Sequence, residues 1–385
     1  MATIRARKKS DGSVSYTAQI RIKKNGVQVY TESMTFERKK AAEVWAKRRE
    51  TELNEPGALD RANRGGVTVA DIIHQYLDEV GKARPLGRTK EANLRATANT
   101  SLGKLSDTQL TSAELVNFAL WRMSPEGGGV QPQTAGNDLA HLGAVLSIAK
   151  TAWGYEIDPT IMMQARLVLK KLGYRMKSRE RDRRPTLDEL DKLMQAFFKA
   201  HAYRPTSMPM AKIVAFALYS TRRQDEIVRI RWDDLDEQRQ AVLVRDMKNP
   251  GDKWGNHVWC HLPDEAWQVI QSMPRAYDEI FPYTGDAIQG MWLRLTKLCG
   301  VEDLNFHDLR HEGVSRLFEM DWDIPRVASV SGHRDWNSLR RYTHLHGRGD
   351  KYAGWEWLQR AVDVEVQFGE WVARKKGRSA RAAAV

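Results

Sequence analysis

The chain is organised around residues 305–344, which read NFHDLRHEGVSRLFEMDWDIPRVASVSGHRDWNSLRRYTH. Three motifs carry most of the reactive side chains of this stretch: HDLRH at 307–311, SGH at 331–333 and RRYTH at 340–344. Histidine bases, guanidinium donors and one tyrosine, Tyr342, therefore lie within forty residues, with almost no carboxylate near the tyrosine. This combination is a poor set of metal ligands and a good set of phosphate ligands.

Length and composition predict more than one folded domain. At 385 residues the chain is longer than one hydrophobic core usually serves, and two or three domains are expected. A hydrophobic fraction of 42%, with 13 Trp, 11 Tyr and 9 Phe, is enough for packed interiors and argues against a wholly disordered chain. No apolar run approaches the roughly 18 residues of a membrane span. No apolar segment follows the basic amino terminus as it would in a secretory signal.

The cysteine content and the net charge indicate which cellular compartment and which kind of binding partner suit the chain. Cys260 and Cys299 are the only cysteines, which excludes a disulfide framework or a cysteine-based zinc cluster and suits a reducing cytoplasm. The net charge of +12 and the pI of 9.6 favour a polyanionic partner. Residues 1–49 hold 13 basic and four acidic residues, which accounts for +9 of the total. A protein that is merely basic is the alternative that composition leaves open.

Residues 1–55 are predicted to form a small sheet followed by a helix. Residues 3–8 read as a first strand, and apolar residues alternate with polar ones from Val14 to Ile22, as in a half-buried strand. Asn25-Gly26 suits a tight hairpin turn, a third strand runs to Phe36, and a helix begins at about Arg38. A sheet this basic can lie in a DNA major groove. The alternative is a sheet whose lysines only keep it soluble. The candidate DNA-binding residues of this segment are Arg5, Arg7, Arg21, Lys23 and Lys24.

Residues 67–172 have helical periodicity throughout and are predicted to form a helical domain. Thr68 can cap its first helix, and a helix that begins near Ser112 ends at Pro125 and the glycines that follow. The block contains no cluster of reactive residues. By itself it therefore indicates a helical bundle and no particular chemistry.

Linkers are predicted on both sides of this block, at 55–66 and 174–184. The second linker is strongly basic, and such a segment can run along a DNA backbone because each neutralised phosphate releases counterions. A solvated hinge is an equal alternative. The candidate DNA-binding residues of this linker are Arg179, Arg181 and Arg183.

A capping box, Thr186-x-x-Glu189, marks the start of a third domain. Its helices are predicted at 187–200, 208–219, from Arg223, and at 264–273, 287–298, 308–320 and 324–330. Strands at 241–245 and 256–262 flank a turn at 249–252. The predicted fold class is multidomain and mainly α with small β-sheets, and the third domain is mixed α+β. The predicted domains are residues 1–55, 67–172 and 185–373.

Several common sites are absent from the sequence, which has no Gly-x-x-x-x-Gly-Lys-Ser/Thr phosphate loop and no Gly-x-Gly-x-x-Gly fingerprint. His307 and His311 are four residues apart, but no Glu follows His307, so the zinc-protease pattern fails. For the group formed by His257, Cys260 and His261, a structural role is favoured over zinc binding. No metal and no cofactor is predicted.

The residues that are present suit phosphoryl transfer without a metal. A phosphodiester under attack gains negative charge on its non-bridging oxygens, and guanidinium groups match those oxygens with forked donors that stay charged. Tyr342 offers a phenol nucleophile, which needs activation because the pKa of a free phenol is about 10. The leaving sugar hydroxyl needs a proton donor, and a lysine is a candidate.

This set of residues resembles the tyrosine recombinases of the phage integrase type. In STRRQDE at 220–226, Arg223 matches the catalytic arginine of the family and Glu226 its acid. Thr221 stands where the family usually has glycine, and the adjacent Arg222 leaves a register one residue earlier as an alternative. The segment RWDDLD at 231–236 is also similar to the family and supports the register with Arg223.

The later motifs continue the resemblance in the same order. Lys248 matches the lysine of the family's β-hairpin, with Lys253 as the alternative across the turn. His307-x-x-Arg310 matches the second motif, and Tyr342 follows His333 by nine residues, the family's spacing. The implied catalytic residues are Arg223, Lys248, His307, Arg310, His333 and the nucleophile Tyr342, with Glu226 and His311 in support.

The resemblance implies DNA strand cleavage through a 3′-phosphotyrosyl link, with Lys248 protonating the leaving 5′ oxygen and no ATP, metal or other cofactor. It implies that the partners are double-stranded DNA attachment sites, on which the chain forms a homotetramer. DNA-bending accessory proteins are further candidate partners. The implied location is the nucleoid of a bacterial cell. The amino-terminal sheet looks like an arm-type DNA-binding domain, which favours an integrase of a phage or integrative element. A type IB topoisomerase and a non-catalytic DNA-binding regulator are the alternatives.

The segment after Tyr342 is also assigned a role by the resemblance. It is rich in large apolar side chains, and we expect these to dock on a neighbouring subunit of the tetramer. The residues concerned are Trp355, Trp357, Leu358, Val362 and Val366.

Overall fold

The computed structural model describes residues 2–8, 14–24, 27–54, 58–59, 66–178, 181–247, 255–369 and 372. The chain divides into two compact units, residues 1–180 and 181–385. Mainly helical structure with two three-stranded antiparallel sheets confirms the predicted fold class. The division into three domains with the stated boundaries stays a prediction. In the described ranges, no helix is both long and apolar enough to cross a membrane.

The first unit begins with the predicted sheet. Strands β1 (Ala2–Lys8), β2 (Val14–Lys24) and β3 (Val27–Phe36) pair in that order, and helix α1 (Lys39–Leu53) follows. Ala18 on β2 is buried with Ala42 and Ala46 of α1. Because strand residues alternate between faces, the opposite face of the sheet is solvent-exposed. Of the candidate DNA-binding residues, this face carries Arg5, Arg7, Arg21 and Lys23, all exposed.

A helical bundle forms the rest of the first unit, as predicted for residues 67–172. Thr68 caps the first helix by accepting a hydrogen bond from the Asp71 backbone amide at 3.1 Å. Leu94, Leu115 and Leu142 are fully buried in the shared core. The helices are α2 (Val69–Ala83), α3 (Arg88–Ala98), α4 (Ser112–Met123), α5 (Pro132–Trp153) and α6 (Ile161–Lys171).

The second unit is built around two buried helices that pack against each other. All eleven residues of α8 (Met210–Ser220) are buried, and so is every residue of α12 (Asp308–Glu319) except His311. The remaining helices are α7 (Leu187–Tyr203), α9 (Gln224–Ile227), α10 (Asp264–Gln271), α11 (Gly285–Leu298), α13 (Ile324–Ser331) and α14 (Glu356–Asp363). Strands β4 (Leu235–Asp236), β5 (Ala241–Val244) and β6 (Val258–His261) form its antiparallel sheet.

The apolar segment after Tyr342 packs on its own unit. Trp357 and Ala361 of α14 are buried in the core that contains α8, and Val362 and Val366 pack against the same core. The Lys212 ammonium group, fully buried on α8, donates to the Val362 carbonyl oxygen at 2.9 Å and anchors the end of α14. In this conformation the segment packs on its own core, which leaves Trp355, Leu358, Val362 and Val366 only partly buried, and docking on a neighbouring subunit stays a prediction.

Gly313 permits the close contact between α8 and α12. A Cβ atom at position 313 would lie 2.0 Å from the Leu218 carbonyl oxygen and 3.0 Å from Cγ2 of Thr221. Only a residue without a side chain fits there unless one helix moves. Since Arg310 lies about one turn before Gly313 on α12, this contact also sets the position of that arginine.

We predict that Gly313→Ala destabilises the second unit by about 3 kcal/mol, because overpacking forces α12 away from α8. The matched control is Gly290→Ala in α11, where an added Cβ has no neighbouring atom within 4 Å. That change should be neutral or slightly stabilising. The measurement is the midpoint of chemical unfolding for each variant. Equal midpoints for the two variants would contradict the proposed packing.

Candidate active site

The end of α8 places the first arginine of the site. Thr221 follows the helix with φ 57°, in the left-handed region, and turns the chain so that Arg223 caps α9. A β-branched residue in this conformation costs about 1–2 kcal/mol, which explains why glycine suits the position. The Arg223 guanidinium donates to Glu226 Oε1 at 2.7 Å and stays partly exposed, with 28% of its side chain accessible.

Arg310 is buried, with 4% of its surface accessible. Its guanidinium donates to the Thr221 carbonyl oxygen at 2.5 Å and to the Ser331 carbonyl oxygen at 2.9 Å, so it links the ends of α8 and α13. Burial, together with the positive charge of Arg223, lowers the pKa of Arg310 to about 9, although Glu226 opposes this shift. The group therefore remains cationic at neutral pH. Its position is fixed by backbone carbonyls before any ligand binds.

His333 is held beside Arg310. Gly332, with φ 71°, ends α13 and turns the next residue back toward the site. The Nδ1 atom of His333 lies 2.7 Å from Ser331 Oγ, and Nε2 lies 3.2 Å from Arg310 NH2. Desolvation and the charges of Arg310 and Arg223 lower the pKa of His333 to about 3. The imidazole is therefore neutral at physiological pH.

Tyr342 lies in a short 3-10 helix, Arg340–Leu345, with its ring stacked on Phe318 at 6.1 Å between centroids. Its hydroxyl oxygen is 2.6 Å from His311 Nδ1. Burial raises the pKa of Tyr342, while the positive charges of Arg341 and Arg310 act in the opposite direction. The phenol is therefore protonated at rest, and His311 is the base next to its proton.

Two other tyrosines, Tyr219 and Tyr352, match Tyr342 in residue type but lie in different surroundings. Tyr352 donates to the buried Glu312 carboxylate at 2.9 Å, and burial together with that negative charge raises its pKa strongly. Tyr219 is fully buried beneath the Arg316 guanidinium, and burial raises its pKa as well. Of the three hydroxyl groups, only that of Tyr342 lies within hydrogen-bond distance of a histidine of the site. Tyr342 is therefore the best placed of the three to lose its proton.

His307 immediately precedes α12, and its ring stands perpendicular to that of His311 at 5.0 Å between centroids. Desolvation, His311 and Arg310 together lower the pKa of His307 to about 4. Desolvation followed by Arg341 likewise lowers the pKa of His311. The histidines at this end of α12 are therefore neutral and able to donate or accept hydrogen bonds at physiological pH.

Glu226 is the carboxylate that lies among Arg222, Arg223 and Arg310. Burial alone would raise its pKa, but the charges of Arg222, Arg310 and Arg223 overcome this effect and lower the pKa to about 2. Three guanidinium groups thus share one carboxylate in a largely desolvated place. The surplus of positive charge makes the site attractive to an anion such as a phosphate.

Arg222 is a site residue whose role the sequence interpretation missed. It is fully buried, donates to Cys260 Sγ at 3.0 Å and to the Val330 carbonyl oxygen, and lies 3.6 Å from Glu226. These contacts join α9, β6 and the end of α13. The available signal was a second arginine directly after the apolar helix α8, where a charged residue needs buried partners.

Several predicted residues either lie outside the described residues or have other partners. Lys248, its alternative Lys253 and Arg179 lie outside the described residues, and so does the side chain of Lys24. Arg183 pairs with Glu189 at 2.5 Å, and Arg181 pairs with Asp303 and Asp308, each at 2.8 Å. These contacts give both arginines a structural role, and DNA contact by either stays a prediction. The Cys260 thiol considered for zinc accepts from Arg222 instead. The described residues contain no cluster of three metal-ligating side chains.

Part of the chain resembles known proteins in sequence. The model of the phage integrase family matches residues 183–348. The shufflon-specific DNA recombinase of Escherichia coli is 30% identical over 244 residues, which are 62% of this chain and 58% of that protein. The integrase of Salmonella phage P22 is 26% identical over 156 residues, 36% of this chain and 39% of that protein. The chain thus spans less than two thirds of the length of either relative.

Solved structures show the same fold. A lambda integrase dimer bound to a COC′ core site aligns with a TM-score of 0.57 and 15% identity, over 88% of this chain and 94% of that one. The Tn1549 transposon integrase in complex with transposon right end DNA aligns with a TM-score of 0.55 and 15% identity, over 76% of this chain and 99% of that one.

We predict that Glu226→Gln lowers stability at neutral pH by roughly 3 kcal/mol, because two buried arginines and the partly exposed Arg223 lose their shared counterion. The folded pKa of Glu226, about 2, lies below its ordinary 4.5. Its contribution is therefore present above about pH 4.5 and is lost as the pH falls toward 2. Urea unfolding as a function of pH should show a wild-type acid loss that Glu226→Gln lacks.

The matched control is Asp225→Asn, which removes the neighbouring, exposed carboxylate paired with Arg229. This variant should keep the acid profile of the wild type, since exposed ion pairs contribute little. An unchanged acid profile in Glu226→Gln would contradict the charge balance described for the site.

Proposed function

Residues 183–348 belong to the phage integrase family of tyrosine recombinases, and from this premise we propose that the chain is a site-specific DNA recombinase. It would cut and rejoin DNA strands through a 3′-phosphotyrosyl intermediate. The observation that carries the proposal is the juxtaposition on α12: His311 holds the Tyr342 hydroxyl at 2.6 Å, and Arg310, one residue earlier, belongs to the cationic cluster around Glu226.

In the cleavage step, the Tyr342 oxygen attacks a DNA phosphorus and its proton passes to His311 Nδ1. The bond from phosphorus to the 5′ oxygen breaks, and Lys248 gives the leaving oxygen a proton. Arg223 and Arg310 stabilise the charge that grows on the non-bridging oxygens. His307 and His333, both neutral, hydrogen-bond the phosphate.

His311 is the natural acceptor for the tyrosine proton because of its contact with the hydroxyl. For His333, a bound phosphate would replace the present contact between Nε2 and Arg310, so that both groups donate to phosphate oxygens. Ser331 Oγ, 2.7 Å from Nδ1, can then donate to that nitrogen and leave the proton on Nε2. This arrangement selects the tautomer that the phosphate requires.

The covalent link keeps the energy of the broken phosphodiester bond. A 5′ hydroxyl from another duplex can therefore reverse the step, which joins strands from two sites without ATP. The exposed basic face of the amino-terminal sheet supports double-stranded attachment sites as the substrate and a phage or mobile element as the origin. A homotetramer is proposed because the lambda integrase, which has the same fold, has been solved as a tetramer bound to a Holliday junction.

The decisive experiment uses a nicked suicide DNA, on which the first cleavage traps the covalent complex. We expect the wild type to form a DNA–protein adduct and Tyr342→Phe to form none. Tyr203→Phe, at a side chain that is 93% exposed, is the neutral control, and Tyr352→Phe tests the rival phenol. Both should keep adduct formation. An adduct in Tyr342→Phe would overturn the assignment of the nucleophile.

Joining separates the remaining alternatives. Recombination between two DNA sites supports a recombinase, whereas relaxation of supercoiled DNA without joining two sites indicates a type IB topoisomerase. Binding without any adduct indicates a non-catalytic DNA-binding regulator. The same purified protein serves all three measurements, on the suicide DNA, on DNA with two sites and on supercoiled DNA.

The proton donor can be tested through the leaving group. Replacing the bridging 5′ oxygen by sulfur creates a thiolate leaving group, which departs without a proton because a thiol is far more acidic than a sugar hydroxyl. We predict that Lys248→Ala slows cleavage of ordinary DNA at least about 100-fold. On the sulfur substrate this variant should cleave at the wild-type rate. Lys253→Ala should cleave both substrates at the wild-type rate. If only Lys253→Ala is rescued by sulfur, Lys253 is the acid instead.

A further inference from the structure

We propose that Arg181 and Asp182 are positioning residues that tie the segment carrying Tyr342 to the start of α12. The inference rests on the proposed function. It assigns to these linker residues a task in catalysis that differs from binding the DNA backbone. The two residues are adjacent in sequence, yet each contacts a different part of the site.

Arg181 holds the start of α12. Its Nε and NH2 atoms donate to the two carboxylate oxygens of Asp308, each at 2.8 Å, and its NH1 donates to Asp303 at 2.8 Å. Asp308 is fully buried. A bidentate pair between guanidinium and carboxylate fixes both distance and orientation. Because Asp308 directly follows His307 and lies two residues before Arg310, this pair holds the turn that carries both.

Asp182 holds the segment of the nucleophile. Its carboxylate forms an ion pair with Arg341, and the same Arg341 NH2 donates to the Arg181 carbonyl oxygen at 2.9 Å. The Arg341 guanidinium lies 5.4 Å from the centroid of the Tyr342 ring. Arg341 therefore connects the linker to the residue beside the nucleophile through two separate contacts.

Together the two residues join parts of the site that are more than thirty residues apart in sequence. The Tyr342 hydroxyl meets His311 only if the 3-10 helix and α12 keep their relative position. The linker pair supports that position from one side, while Phe318 stacks against the tyrosine ring. A displacement of about 1 Å in a reacting group can cost roughly 100-fold in rate.

The charges around Arg181 argue against a phosphate ligand. All three of its side-chain nitrogens donate to Asp303 or Asp308. A guanidinium enclosed by two carboxylates presents little net positive charge to a DNA backbone. If Arg181 did neutralise a phosphate, its removal would weaken DNA binding and reduce the dependence of affinity on salt.

Asp182 also affects the electrostatics of the nucleophile. Burial raises the pKa of Tyr342; Arg341, Arg310 and Arg184 oppose this, and Asp182 adds to it. The neighbouring His311 is neutral at rest and completes the set of ionisable groups around the phenol. Removing the Asp182 charge should therefore lower the pKa of Tyr342. A purely structural role elsewhere in the fold would not produce that shift.

The test compares Asp182→Asn with the wild type on the suicide DNA. The Asp182 side chain is 84% exposed, so the variant should fold normally. We expect single-turnover cleavage to fall about tenfold with unchanged DNA affinity and salt dependence. Glu237→Gln, which removes another exposed carboxylate from an ion pair with Arg275, is the matched control and should cleave normally. Cleavage by Asp182→Asn at the wild-type rate would overturn the proposal.

A second readout does not depend on cleavage. Titration of phenolate absorbance, as the difference between each protein and its Tyr342→Phe counterpart, reports the pKa of Tyr342. We expect a lower value in Asp182→Asn. An unshifted pKa counts against the pair.

The two proposals can fail separately. If the wild type forms no adduct, the proposed function fails, whatever the titration gives. If the wild type forms an adduct but Arg181→Gln loses DNA affinity and lowers the salt dependence by about one phosphate contact, Arg181 binds DNA and its positioning role is wrong. Slower cleavage by Arg181→Gln with unchanged affinity supports positioning.

Discussion

The repulsion among Arg222, Arg223 and Arg310 is the constraint on which the second unit depends. The three guanidinium groups gather around one carboxylate, Glu226, in a place that water barely reaches. Such a cluster opposes folding unless the surrounding structure holds it. Backbone carbonyls at the ends of α8 and α13 receive the buried arginines, and the contact at Gly313 keeps α8 and α12 close enough for this. The cations are thus held in place before any ligand binds, which is the preorganisation that the proposed phosphoryl transfer requires.

Other arginines of the same unit differ in their balance of charge. Arg184 pairs with Glu312 and Glu319, and Arg316 pairs with Glu265 and Asp350. Each of these groups has at least as many carboxylates as guanidinium groups, so the positive charge of its arginine is neutralised within the fold. The cluster around Glu226 lacks that balance. A surplus of charge, and not arginine content, therefore separates the part of the unit suited to an anion from the parts that only hold the fold.

The environment also separates the tyrosines. Tyr352 donates to a carboxylate, Tyr219 lies beneath a guanidinium in the core, and Tyr342 contacts a neutral histidine. Tyr219 and Tyr352 lie in one hydrophobic cluster and Tyr342 lies in another, so all three rings are packed among apolar side chains. Of these three neighbours, only the neutral imidazole can accept a proton from the phenol without placing a negative charge beside the phenol oxygen. The surroundings of each ring, and not its residue type, decide which one is suited to be a nucleophile.

The sequence by itself determined the helical class, nearly all helix positions of the second unit and the order of the motifs, because periodicity and capping are local properties. The helix predicted at 308–320 is found at Asp308–Glu319, and the strand predicted at 241–245 at Ala241–Val244. The tertiary structure alone decided which groups meet. The buried role of Arg222, the contact of His311 with Tyr342, the pairing of Arg181 with Asp308 and the packing of α14 on its own unit join residues far apart in sequence. Such contacts depend on how the helices pack. The distance between two helix ends cannot be predicted from the local sequence of either helix.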